Sequence, residues 1–193
     1  LPQPPKVQIL SIASKGGAPV VLGDGEEPVV SVNGVVAFHK SGQIWTVPVD
    51  GSKPAAQLFT ARGNNTSPVW SPDGNQLAFQ SNRQDHSFIG IYSGTDIPIR
   101  WMDPQYKRDS NPVWSPDGNQ VAFIRTPGGG GKPDSILQRK HSAWSIVQSD
   151  VLNGKSSTLW TAPRTLRGSI PTTHGGTNLE WGKNAIVFLS YVD

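Results

Sequence analysis

Several groups of side chains in this 193-residue chain have types and spacing that could do chemistry. Asp85-His86-Ser87 holds the residue types of an acid, a base and a nucleophile. Neighbours on a strand point to opposite faces, so three consecutive residues do not converge there, and the triad reading is set aside. Glu26-Glu27 is an adjacent pair of carboxylates, but it precedes an apolar strand and is more simply a solvated turn. Gly128 to Gly131 followed by Lys132 carries part of a phosphate-loop pattern. The leading glycine spacing is absent and Pro133 stands where Ser or Thr is required, so a flexible linker is the simpler reading. Asp73 and Asp117 could ligate a metal, yet each lies between Pro and Gly, which makes it a turn former.

Glu180 is the more informative carboxylate. It takes the place that Val29, Val69 and Val113 hold in a repeated pattern. A carboxylate replacing a buried valine is costly unless it is paired or hydrated. Either the position is an exposed edge or has an arginine partner nearby, or the charge faces a central chamber. Glu180, Arg83 and Arg125 are therefore the candidate substrate-binding residues, with Arg164 and Arg167 as further possible partners or carboxylate-binding groups. No residue receives a catalytic or metal-binding role, and no cofactor is expected. The chain has no cysteine and no G-x-S-x-G nucleophile elbow. None of His39, His86, His141 and His174 sits in a context that marks a catalytic base.

Internal repetition supplies the elements that position these residues. Residues 67–79 read SPVWSPDGNQLAF and residues 111–123 read NPVWSPDGNQVAF, an offset of 44 residues. EPVVSVNGVVAF (27–38) is a weaker copy, and NLEWGKNAIVFLS (178–190) is a fourth with a shorter turn. Each unit predicts a hairpin. Pro-Val-Trp is a strand, Ser-Pro-Asp-Gly is turn chemistry, and Leu-Ala-Phe opens the next strand. The recurrent tryptophans Trp70, Trp114 and Trp181 are expected to pack between units.

A second hairpin follows in each unit: 43–49 with 55–61, 88–94 with 97–102, and 144–151 with 156–162. Four short strands every 40 to 45 residues predict an all-β fold, a β-propeller of four-stranded antiparallel blades. The expected organisation is a half-blade at 5–26, blades at 27–65, 66–109 and 110–176, and a half-blade at 177–193. The third blade carries long insertions at 126–141 and 163–176. The two half-blades could pair and close a four-bladed ring, but the expected reading is a piece of a larger ring. The open strand edges are expected to pair with the remaining blades or with a second copy.

Composition agrees with this reading. Gly (21) and Pro (17) make up about a fifth of the chain, too many for long helices. Lys plus Arg is 17 against 14 for Asp plus Glu, a net charge of +3, with no basic run longer than two residues. Such scattered charge argues against a nucleic-acid partner. No apolar run reaches membrane-helix length, so no membrane partner is expected. The chain opens LPQPPK without Met or an apolar signal region, so its start is expected to be processed or trimmed. Periplasmic, secreted and cytoplasmic locations all stay open.

The PVWSPDG-x-x-(L/V)AF units resemble repeats shared by the periplasmic Tol–Pal propeller protein and by propeller domains of the prolyl oligopeptidase family. Residues 43–74, 81–92 and 165–193 are similar to the N-terminal propeller of bacterial dipeptidyl-peptidase-IV-like or acylaminoacyl-peptidase-like serine peptidases. That resemblance implies a propeller of seven or eight blades capping an α/β-hydrolase domain of the same protein, gating short peptide substrates. The hydrolase domain is absent from these 193 residues, so this chain alone is expected to be inactive. Two alternatives stand beside it: a non-enzymatic interaction propeller of the Tol–Pal type and a propeller carbohydrate-active enzyme.

Overall fold

The computed structural model describes residues 6–128, 144–163 and 179–190. Among them no helix forms, and the regular structure is sixteen strands. β1 (Gln8–Ser11) and β2 (Val20–Asp24) make a hairpin. β3 (Glu26–Val30), β4 (Val35–Lys40), β5 (Gln43–Pro48) and β6 (Ala56–Gln57) form a four-stranded antiparallel sheet in chain order. β7 (Asn64–Trp70), β8 (Leu77–Arg83), β9 (His86–Tyr92) and β10 (Arg100–Trp101) repeat this, as do β11 (Lys107–Trp114), β12 (Gln120–Pro127), β13 (Ser145–Asp150) and β14 (Ser156–Thr161). The last two units are joined by one parallel bridge between Arg108 and Ser87. β15 (Glu180–Trp181) and β16 (Ile186–Val187) close the series as a short hairpin. The fold is a partial β-propeller.

Strand alternation builds the core. Side chains on a strand point to opposite faces in turn. Val36 and Phe38 therefore pack back on Ile9 and Leu22, while Ala37 packs forward with Leu77 and Phe79. The pattern recurs one sheet later, where Ala78 faces forward to meet Val121 and Phe123. It recurs again where Ala122 and Ile124 meet Leu179, Trp181 and Phe188. Each sheet thus presents a large Phe backward and a small Ala forward, which lets successive sheets interdigitate. Phe38, Phe79 and Phe123 are completely buried.

The Ser-Pro-Asp-Gly turns fold as their chemistry requires. Ser71 Oγ donates to Asp73 Oδ1 at 2.5 Å and accepts from Gln76 N at 2.9 Å. Asp73 also accepts from Asn75 N and Asn75 Nδ2. Asp117 repeats these bonds with Ser115 and Asn119. Gly74 and Gly118 take φ of +71° and +73°, where a side chain would be strained.

The first strands are longer than the Pro-Val-Trp core read from the sequence. β7 begins at Asn64 and β11 at Lys107, and each continues through a proline. Proline has no N–H to give to the ladder, so a bulge accommodates it. The register shifts between Thr66 and Val69 and between Ser110 and Val113. The outer strands are shorter than expected, and only Ala56–Gln57 and Arg100–Trp101 form ladders in their units. The tryptophans are not equivalent in depth. Trp114 is buried and its Nε1 donates to the Val69 carbonyl at 2.9 Å, whereas Trp70 is half-buried and its Nε1 is buried without a partner.

Candidate functional site

The bulges set up a cleft along the first strands of successive units. Glu27, Ser67 and Asn111, each just before a proline, take φ of +54°, +51° and +53°. This conformation costs non-glycine residues roughly 1–3 kcal/mol, and a following proline disfavours it further. Its threefold recurrence marks a feature of the repeat. A cleft of about 390 Å³ is lined by Glu27, by Ser67 to Val69, by Asn111 to Val113, and by Leu179 and Glu180. Four successive units therefore contribute to one concave surface.

Two carboxylates line this cleft. Glu27 comes from β3, and its Oε2 accepts from Ser67 N at 2.6 Å. It is a bridge between units as well as an exposed charge, and the sequence reading as a solvated turn missed that bridge. Glu180 lies on β15 opposite Val187, exposed at the other side of the cleft. No described residue forms an ion pair with it, and Arg164 and Arg167 lie outside the described residues. The arrangement can place negative charge against a cationic group entering the cleft.

Arg125 is engaged elsewhere. Its Nε and Nη2 donate to the two oxygens of Asp109 at 2.7 and 2.8 Å. Nη1 reaches Asp103 Oδ2 at 2.7 Å and Nη2 reaches the Asp103 carbonyl at 2.8 Å. The guanidinium also lies 5.2 Å from the Phe123 ring centroid. Arg125 thus binds carboxylates of its own chain and clasps β11 and β12 to the segment after β10. Burial pushes the Asp109 carboxyl above the usual carboxylate range, although Arg125 pulls it the other way. Arg83 occupies a different cleft, at the β8–β9 end of its sheet.

The Asp85-His86-Ser87 stretch departs from the sequence reading in part. Asp85 sits in the turn between β8 and β9, where strand alternation does not apply, and its Oδ1 lies 2.6 Å from His86 Nδ1. Tyr106 donates its hydroxyl to Asp85 Oδ2. That bond, first, and the one with His86 hold the Asp85 carboxyl below its ordinary value. Ser87 faces away, and its Oγ donates to the Asp109 carbonyl at 2.7 Å. A dyad forms, but no triad. Asp73 and Asp117 remain turn formers, and no group of three potential metal ligands occurs among the described residues. His141, His174 and the phosphate-loop-like residues 129–133 lie outside the described residues.

No family model matches the chain, and no curated protein matches it. Solved structures do. TolB from Acinetobacter baumannii superposes with a TM-score of 0.57 at 16% identity, covering 93% of this chain and 45% of that one. Acylaminoacyl peptidase from Pyrococcus horikoshii gives 0.56 at 14% identity, covering 96% and 28%. Oligogalacturonate lyase from Vibrio parahaemolyticus gives 0.56 at 11% identity, covering 81% and 47%. At these identities the likeness is one of fold. The chain spans about half or less of the length of these proteins.

Proposed function

We propose that this chain is the substrate-facing propeller portion of a serine peptidase that acts on short peptides. The observation that carries the reading is the cleft along the first strands, where Glu27 and Glu180 from non-adjacent units face one space. A peptide with a free amino end brings a cation to such a cleft. A carboxylate within about 4 Å of it contributes roughly 1–4 kcal/mol, depending on solvation. Bond cleavage would belong to a Ser-Asp-His triad of an α/β-hydrolase domain, with acyl transfer through the serine. The propeller would form a chamber wall that admits short peptides and excludes folded proteins. Likeness to acylaminoacyl peptidase supports this reading at the level of fold.

The second reading is a non-enzymatic interaction propeller, favoured by the equal likeness to TolB. Peptide hydrolysis by the complete protein separates the two. Cleavage of short peptides, weakened by loss of the Glu180 charge when the amino end is free, supports the peptidase. Absence of any hydrolysis supports the interaction propeller.

A further inference from the structure

We propose that Arg62 and Arg83 form an oxyanion-binding site, separate from the cleft that Glu27 and Glu180 line, that takes a carboxylate or a phosphate group. The site is a cleft of about 540 Å³ at the end of the second sheet, where the chain enters β7 and turns from β8 to β9. Arg62, Arg83, Asn82 and His86 all line it.

Arg83 is held in place by the fold. Its guanidinium carbon lies 4.9 Å from the Phe88 ring centroid and 4.8 Å from that of Trp101. Such contacts orient the planar guanidinium. Its Nε is buried and donates to no described residue. A buried unpaired donor on a charged group is costly, more so than on a neutral one.

Arg62 lines the same cleft. The Ser81 hydroxyl donates to the Arg62 carbonyl at 2.8 Å, fixing that backbone. Gly63 then passes so close that a Cβ there would stand 2.6 Å from the Asn82 carbonyl oxygen and 3.2 Å from Arg83 Cγ. The two cations share one cleft, and neither forms an ion pair with a described residue. Burial first, and the nearby Arg62 charge second, lower the affinity of Arg83 for its proton. Asp85 also lines the cleft, but its two oxygens are engaged by His86 and Tyr106.

Two like charges held together with an unsatisfied buried donor lack one component, an anion with at least two acceptor oxygens. Carboxylate and phosphate both match the guanidinium fork.

The test follows the Arg83 Nε–H resonance by nitrogen-15 NMR on this chain. Inorganic phosphate and N-acetylglycine are titrated separately, with ionic strength held constant by chloride. A saturable shift with either probe supports the site, and the stronger probe identifies the source of the oxyanion. Arg62 is exposed, so Arg62→Gln is expected to fold and to weaken binding about tenfold, the scale of one charge-assisted hydrogen bond. Arg83→Lys keeps a charged stem but loses the fork, and is expected to abolish saturation, followed through the backbone amides of residues 62 to 64. No saturable shift with either probe, or saturable binding unchanged in Arg62→Gln, overturns the proposal.

Discussion

Glu27 Oε2 accepts a hydrogen bond from the backbone N–H of Ser67 at 2.6 Å, and the two residues hold the same repeat position in adjacent sheets. Both have positive φ and both precede a proline. One side chain thus locks the strained start of the next unit and places a charge at the cleft. Glu27→Ala is expected to lower unfolding free energy by about 1 kcal/mol, the net worth of one such bond at an exposed site. Glu27→Gln, which keeps an acceptor, should lose less. Urea titration of both variants measures the difference, and equal stability of wild type and Glu27→Ala would remove the bridge from the account.

Glu180 separates charge from structure. In the complete protein, Glu180→Gln is expected to raise KM for peptides with a free amino end by about tenfold and to leave amino-blocked peptides unchanged, as loss of one partly solvated charge contact implies. The side chain is exposed, so its thermal stability should hardly change. Equal kinetic effects on both substrate kinds would make Glu180 structural.

Gly90 makes room for the core. It stands opposite Phe79 in the ladder, and a Cβ there would lie 2.6 Å from Phe79 Cζ and 2.9 Å from Trp101 Cζ3. Phe79 is fully buried and Trp101 is half-buried and packed against it. Gly90→Ala is therefore expected to destabilise by roughly 1–3 kcal/mol, the usual cost of overpacking. A thermal melt of the variant that matches wild type would show that the rings can move.

Acid sensitivity follows from the turns. Asp73 and Asp117 are held below the ordinary carboxylate value, first by Ser71 and Ser115 respectively. A depressed folded value means that their contribution is full above the unfolded value near about 3.9 and fades as pH falls through the folded value. Asp109 has the opposite sign: its raised value makes its contribution largest when protonated, fading as pH rises. The comparison of wild type with Asp73→Asn/Asp117→Asn isolates the turns. Wild type should be the more stable at neutral pH, and the gap should close at the acid end. A gap independent of pH would assign the turns to geometry alone.

The parts of the fold that local chemistry determines were legible. Pro72-Asp73-Gly74 and its copy at Pro116-Asp117-Gly118 could hardly form anything but tight turns, and Leu77-Ala78-Phe79 is the continuous apolar run of a strand buried on both faces. The bulge at Ser67-Pro68 was not legible, because positive φ before a proline runs against local preference and is imposed by the neighbouring unit. The Arg125 clasp was not legible for a similar reason. Its partners Asp103 and Asp109 lie 22 and 16 residues away, and only the folded sheet brings them together. The Asp85–His86 contact depended on a turn boundary one residue wide. Of the cleft, Glu180 was visible as a break in an apolar pattern, whereas Glu27 gave no such signal.

The central claim is that this propeller serves a serine peptidase. The direct measurement is treatment of the complete protein with a fluorophosphonate probe, which labels activated serines, followed by mapping of the labelled peptide. The account predicts covalent labelling of one serine outside residues 1–193, with loss of peptide hydrolysis in step, and no labelling of this chain alone. An unlabelled complete protein without peptide turnover would contradict it.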